Sequence, residues 1–393
     1  MPYLEILKVF LRLGLTSFGG PVAHIGYFRD EFVSQRKWVS DTQFSSWLAM
    51  CQALPGPASS QLGFLIGLHR GGLGGAMLAW AGFTLPSAIA LVMLANYGLQ
   101  ASAAWLGPVI DGLKLVAVVV VAQAVVGMFG ALCRQTVTRI LSVVGFAVAL
   151  GVGGWSGQIF AILIGGIVGF FACKGQNLEP GTAITIRHAP SARLGASLLL
   201  LTVTLLLVLP WVVTKQPALQ IFDAFYRAGA LVFGGGHVVL PLLESATVSP
   251  GLVSSDAFLT GYSLAQAVPG PLFTFAAWLG VLDASMPGWT GAALALLAIF
   301  LPGLLLATGV LPWWHSIAAR FWALGILSGI NAAVVGVLAA AWVDPIVTTS
   351  ISSVSSAVVA ALGAALLLWR KYPVVLVVIS LPLLMLLLDW IAL

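Results

Sequence analysis

Residues 12–20 read R-x-G-x-x-x-F-G-G and return as residues 227–235, while Q-A-L-P-G-P at 52–57 returns as Q-A-V-P-G-P at 266–271. Two motifs repeated in the same order at nearly the same spacing mark a duplicated unit. The echo continues in Gly75-Ala76 and Gly291-Ala292, in Leu85-Pro86 and Leu301-Pro302, and in Gly112 and Gly329, all offset by about 215 residues. A chain of two like halves is expected to build any shared site where the halves meet.

Composition identifies the solvent. With 60% hydrophobic residues, 7% charged residues and a mean hydropathy of +1.07, the chain lies far from soluble domains and reads as an all-α polytopic membrane protein. The lipid bilayer is its first partner. Many of the 14 tryptophans fall near segment ends (Trp38, Trp105, Trp155, Trp211, Trp313, Trp314, Trp342, Trp390), as interfacial anchors do. A net charge of +5 and a pI near 9.3 come without a basic run or a basic patch interleaved with aromatics. Nucleic acid is therefore excluded as a partner, and the excess reads as an orientation signal. Cys51, Cys133 and Cys173 have no metal-ligand spacing, so neither disulfides nor metal clusters are expected. The first apolar stretch carries Lys8 and Arg12 and no small-residue cleavage site, so it is expected to stay in the mature protein.

A span needs about 20 apolar residues. Stretches near 74–99, 106–132, 193–213, 290–311, 321–342, 347–369 and 373–393 satisfy that, and 138–152 and 155–172 read as shorter spans. Residues 4–35 and 44–68 differ, because they break at Phe18-Gly19-Gly20-Pro21 and at Pro55-Gly56-Pro57. Their counterparts, 219–246 and 257–282, break at residues 234–236 and 269–271. Each half thus begins with two broken or re-entrant helices. If these are hairpins, Arg29, Arg36, Lys37, Arg70, Arg134, Arg139, Lys174, Arg187, Arg193, Arg320, Arg370 and Lys371 share the cytoplasmic face. Asp256, Asp283, Asp344 and Asp389 then lie opposite, with Lys215 the exception. Kinked full crossings would put Arg36 and Lys37 outside, so hairpins are preferred. The stretch at 193–213 has no partner in the first half, and one extra crossing makes the two repeats inverted in topology. The expected division is 1–173 for the first repeat, 174–192 for a cytoplasmic linker, 193–213 for the extra helix and 214–393 for the second repeat.

Arg12 and Arg227 sit in apolar helices, where a charge is expensive and faces a cavity or a partner. Arg12 and Gly19, seven residues apart, share a helix face, which aims the guanidinium at the break. Snorkelling, or pairing with Glu5, Asp223 or Glu244, is the plain alternative. The breaks have a physical use of their own. Each starts a half-helix whose first N–H groups are unpaired and lie at the positive end of the helix dipole. Gly19, Gly20, Gly56, Gly234, Gly235 and Gly270 would let an anion approach the backbone, and Pro21, Pro55, Pro57, Pro269 and Pro271 suit the turn and first helical positions. Four such ends, flanked by Phe18, form a cradle for an anion; simple kinks are the alternative. His24 and His237 each follow a break and could carry a coupling proton or be merely hydrogen-bonded. Gln52 and Gln266 are neutral donors for an oxyanion or glue between helices. Asp30, Glu31 and Glu244 could carry protons, but the first two, beside Arg29 and near Arg36, are expected on a solvated rim. The chain carries no P-loop, H-E-x-x-H or G-x-S-x-G in its context, so neither enzyme chemistry nor nucleotide-driven pumping is expected and no cofactor is called for.

F-G-G-P at 18–21 followed by Q-A-L-P-G-P, with degenerate copies at 233–236 and 266–271, resembles the chromate transporter (CHR) family in its long, two-repeat form. The resemblance spans nearly the whole chain. It implies an inner-membrane carrier that exports chromate and confers chromate resistance, with sulfate as the related oxyanion and halves of opposite topology. The second half departs from the pattern, since Gly236 replaces the proline and His237 follows at once. The expected mechanism is alternating access around a dianion held by the half-helix N–H groups and Arg12, with Arg227 the weaker candidate. Sulfate uptake by symport and a passive anion channel stay open as alternatives, as do a coupling proton and a homodimer.

Overall fold

The computed structural model describes residues 2–98, 105–173, 186–212, 216–283, 285–286, 288–318, 320–370 and 372–392; every regular element among them is helical. The first half runs α1 (Pro2–Thr16), α2 (Gly20–Arg29), α3 (Asp41–Ala53), α4 (Ala58–Met93), α5 (Leu106–Leu132), α6 (Thr136–Val152) and α7 (Gly154–Ala172). Between the halves stands α8 (Ala192–Val212). The second half runs α9 (Pro217–Ala230), α10 (Val239–Leu243), α11 (Ser255–Ala267), α12 (Phe275–Leu282), α13 (Trp289–Val310), the short α14 (Trp314–Ala318), α15 (Phe321–Ala341), the one-turn α16 (Thr348–Ser350), α17 (Val354–Ala364) and α18 (Val374–Ala392). Among the described residues, seven helical stretches are long and apolar enough to cross a membrane: Ala58–Asn96, Leu106–Leu132, Gly154–Ala172, Ala192–Val212, Trp289–Ile317, Trp322–Ser350 and Val374–Ile391. The chain is an all-α polytopic membrane protein. Residues 174–185 of the expected linker lie outside the described residues.

One expected span is shorter. The stretch at 347–369 is not a single helix, because Ile351–Ser353 leave the helical path and a capping box between Ser353 and Ser356 starts α17 afresh. The signal was in the sequence: serines crowd positions 350–356, and serine competes for backbone partners at helix starts.

The interrupted segments double back. Arg36 donates to Glu5 at 2.9 Å across a sequence separation of 31, whereas a straight helix of that length would hold its ends roughly 45 Å apart. Arg29 bonds Asp41 at 2.8 Å and Arg70 lies 3.5 Å from Glu5. All four ends of the two first-half hairpins therefore gather at one face, and the breaks form the tips. The second hairpin's return arm is residues 58–70. Gly71 and Gly72 (φ 61°) then leave helical geometry and fold residues 73–93 back along it, so that Gly67 abuts the Gly75 carbonyl. Gly280 meets Gly291 in the same way between α12 and α13.

Contacts between the halves are reciprocal. α15 of the second half packs on α6 and α7 of the first, while α5 of the first packs on α17 and α18 of the second. Gly329 lies on the Gly165 carbonyl, and Gly112 lies on the backbone of Pro382; small residues let such helices approach closely. At the tips the Gly56 N–H donates to Val232 O at 2.8 Å, and the Gly270 N–H donates to Ser17 O at 3.0 Å. A contact matched by its mirror is what an approximate two-fold relation between halves produces.

Gly56 (φ 116°) and Gly270 (φ 117°) have no room for a side chain: a Cβ would stand 2.9 Å from Gly303 Cα and 2.6 Å from Ser87 Oγ, respectively. Gly56→Ala and Gly270→Ala should each destabilise the fold by about 1–3 kcal/mol. Gly107→Ala, which meets nothing within 4 Å, should be neutral. Thermal unfolding of the purified proteins in detergent measures the difference, and equal melting of all three variants would remove the close approach as a constraint.

Candidate functional site at the helix breaks

Four half-helices start at the breaks: α2, residues 58–70 of α4, the 3₁₀ turn Gly236–Val238 leading into α10, and the turn Leu272–Thr274 leading into α12. None has a side-chain cap. The far ends of the same hairpins do, since Ser40 accepts from Gln43 N in α3 and Ser254 accepts from Ala257 N in α11. Serine caps thus serve the ends away from the breaks, while the ends at the junction keep orphan N–H groups with a partial positive charge. Gly19 (φ 98°), Gly20 (φ 74°), Gly234 (φ 77°) and Gly235 (φ 148°) make these turns in left-handed geometry. Open space surrounds Gly20, where a Cβ would meet nothing within 4 Å. Pro21 lies in the first turn of α2, and Pro57 and Pro271 immediately precede their half-helices. Two of the expected donors are already engaged: the N–H groups of Gly56 and Gly270 hold the other half's carbonyls, so they staple the junction together.

The two histidines share a job despite their different spacing. His24, fully buried, places Nε2 3.2 Å from Ser17 O and Nδ1 3.4 Å from Ser59 Oγ, tying the first break to the second. His237 Nδ1 lies 2.7 Å from the Tyr262 hydroxyl, tying the third break to the helix that carries Gln266. Gln61 Nε2 donates to Pro55 O and to Gly303 O, both at 2.9 Å, and so spans the halves. Around these groups Ser17 Oγ, Ser60 Oγ, Gln61 Oε1, Thr84 Oγ1 and Gln266 Nε2 are buried without a protein partner. Buried polar atoms of this kind are uncommon in folded proteins, and these are five of the twelve among the described residues. Ser17, Ser59, Gln61 and Tyr262 escaped the sequence reading, although each lies within seven residues of a break motif. Pro55 and Pro269 are half-buried, and Gln52 is exposed.

The arginines are paired. Arg12, whose side chain is 57% exposed, donates to Glu31, which also binds Arg36 Nε at 2.6 Å. Glu31 is buried, with a side chain only 4% exposed, which corrects the expected solvated rim: π-helical turns at Asp30–Gln35 rotate it inward between two guanidinium groups. Asp30 does stay exposed. Arg227 binds Asp223 at 2.6 Å, one helical turn away, and sits over the Trp155 ring at 5.0 Å. Glu244 also begins a π-helical turn, yet among the described residues it forms no ion pair and faces a polar cleft shared with Asp344 and Gln158. Equivalent backbone therefore carries different charge chemistry in the two halves. The Arg12 guanidinium reaches toward the hairpin base, where Glu31 and Glu5 share Arg36, while Phe18 and Gly19 are exposed at the tip. A double-mutant cycle of Arg12→Ala and Glu31→Gln, read by thermal unfolding, should give a coupling of about 1–2 kcal/mol, held down by the exposure of Arg12. Zero coupling would leave the Arg12 guanidinium free of Glu31.

Paired helical hairpins with uncapped, glycine-lined tips in the interior of a multi-span bundle define a membrane transporter rather than an enzyme. The sequence profile described as "Chromate transporter" matches residues 4–170 and again 219–387, and the chain belongs to that family. It is 28% identical to a "Probable chromate transport protein" of Synechococcus elongatus, over 86% of this chain and 83% of the relative. It is 27% identical to a "Chromate transport protein" of Pseudomonas aeruginosa (88% and 81% covered) and 28% identical to one of Cupriavidus metallidurans (93% and 88%). No solved structure matches the chain.

Proposed function

We propose that this protein is a secondary transporter of tetrahedral oxyanions that exports chromate across the cytoplasmic membrane by alternating access. The observation that carries the reading is the junction of four half-helix starts without side-chain caps. A dianion beside them would replace the missing caps with charge-assisted bonds and lie at the positive ends of the helix dipoles. The orphan hydroxyls of Ser17, Ser60 and Thr84 and the Gln266 Nε2 group add neutral donors without adding charge. Arg12, two turns before the first break, is drawn to Glu31 at the hairpin base; to meet the anion it would swing toward the tip, and Arg36 would still neutralise Glu31. Arg227, locked to Asp223 and Trp155, contributes less. The two repeats, inverted in topology, would rock about this junction.

Energetics favours export. An inside-negative potential drives anions out by about 2.3 kcal/mol per charge per 100 mV. For a dianion that doubles to about 4.6 kcal/mol, a concentration ratio of roughly two thousand. Export therefore needs no coupled proton, whereas sulfate uptake would.

In proteoliposomes under an imposed potential, chromate flux should saturate, follow the potential and fall when sulfate competes. Arg12→Ala should abolish that flux while leaving membrane insertion intact. Proton-driven sulfate uptake without chromate flux would overturn the export reading, and flux retained by Arg12→Ala would remove Arg12 from the site.

A further inference from the structure

The reciprocal packing of the halves makes each surface its own control. On one side, α11 packs against α5 and α18. Ser263 Oγ donates to Leu113 O at 2.5 Å, and Lys114, 11% exposed, binds Asp256 at the start of α11 at 3.2 Å. On the equivalent side, α3 and α15 face each other across a cavity of about 210 Å³, into which Gln52, Ser328 and Asn331 contribute polar groups. The offsets that align the repeats pair Ser263 with Ala49, Gln266 with Gln52, and Lys114 with Asn331. Each bond that shuts the first side has thus lost its partner on the second: Ala49 has no hydroxyl, and Asn331 has no charge to hold the start of α3.

The cavity runs along α15 from Asn331 back to Leu324, one turn from Arg320, and touches Leu132, two residues before Arg134. Its inner end reaches the third break, where a Cβ on Gly234 would stand 3.4 Å from Asn331 Oδ1. Its outer end thus lies on the face bearing Arg134 and Arg320, the basic and therefore cytoplasmic face. A volume of about 210 Å³ is about seven water volumes, room for a five-atom anion and some of its hydration. The amide groups of Gln52 and Asn331 and the Ser328 hydroxyl can replace lost hydration with neutral donors, and Arg134 and Arg320 attract the dianion to the mouth.

We infer that this cavity is the cytoplasmic route by which a tetrahedral oxyanion reaches the breaks, with Ser328 and Asn331 as binding residues beside Gln52, and that Lys114–Asp256 and Ser263–Leu113 hold the equivalent outer route shut. The inference rests on the oxyanion-transport reading.

The test uses the full chain with Cys51, Cys133 and Cys173 replaced by alanine, and one cysteine added as Ser328→Cys or Gln266→Cys. A membrane-impermeant thiol reagent is applied to right-side-out or inverted vesicles. Ser328→Cys should react from the cytoplasmic side only, and sulfate, which does not oxidise thiols as chromate does, should slow the reaction several-fold where chloride does not. Gln266→Cys should stay unreactive from both sides until Lys114→Met removes the latch, and then react from the outer side. In parallel, Asn331→Ala should raise the half-saturating chromate concentration about tenfold, the loss expected of one bond to a charged ligand. Equal labelling of Ser328→Cys from both sides, or of Gln266→Cys with the latch intact, overturns the route even where wild-type vesicles still carry chromate. Cytoplasmic labelling that chloride and sulfate slow equally overturns the oxyanion assignment and leaves the route standing.

Discussion

Backbone N–H and C=O groups at the four breaks cannot be left facing lipid, and the chain solves this by lending each half's orphan donor to the other half's orphan acceptor. Gly56 N–H to Val232 O and Gly270 N–H to Ser17 O are the two bonds that result. Non-helical backbone survives at membrane depth only when buried in protein or lining water, so neither half could keep its tips without the other. Other features follow from that exchange. Glycine is required at 56 and 270 because the opposite half passes within van der Waals distance. Gln61 bridges Pro55 O and Gly303 O because the same crossing leaves two carbonyls side by side. His24 anchors Ser17, the residue whose carbonyl receives the cross-bond.

On this shared frame the halves have diverged where charge and helix geometry matter. The first half begins its second arm with Pro21 and a ten-residue α2, while the second begins with Gly236 in a 3₁₀ turn before a five-residue α10. Proline presets the helical φ and needs no donor, so its loss lets the backbone tighten around His237. Glu31 is neutralised by two arginines, whereas Glu244 faces Asp344 across a cleft. Both glutamates sit in the first turn of π-helical stretches, so the same backbone irregularity carries different charge chemistry in the two halves.

How far the sequence reveals this differs by level. Spans follow from apolar length, and the pause between 68 and 74 coincides with the Gly71–Gly72 turn that folds α4 on itself. Breaks were legible because glycine and proline impose backbone geometry locally. Pairings were not. Arg12 with Glu31, nineteen residues apart, and Lys114 with Asp256, 142 apart, depend on which helices become neighbours, a property of packing rather than of local pattern. The Gly56 to Val232 bond involves backbone alone, so no side chain announces it. Lys114 and Asp111 did carry a signal, a charged pair one turn apart inside an apolar span.

The sizes of these differences decide whether an alternating mechanism is affordable. Two identical halves would make the inward-open and outward-open arrangements equal in energy, and any bias must come from residues that differ. Lys114–Asp256, with Asp256 well exposed, contributes up to about 1 kcal/mol, and the Ser263–Leu113 bond contributes about 1 kcal/mol more. A bias of roughly 2 kcal/mol populates the other arrangement at a few per cent, enough to be visited without a ligand. A dianion must bind the other arrangement about thirtyfold more tightly to cancel that preference and roughly a thousandfold to reverse it fully. The potential acts on the same scale, at about 4.6 kcal/mol per 100 mV for a charge of two. On the proposed route, the Lys114–Asp256 and Ser263–Leu113 bonds would be strong enough to set a resting state and weak beside the pull of the potential on a dianion.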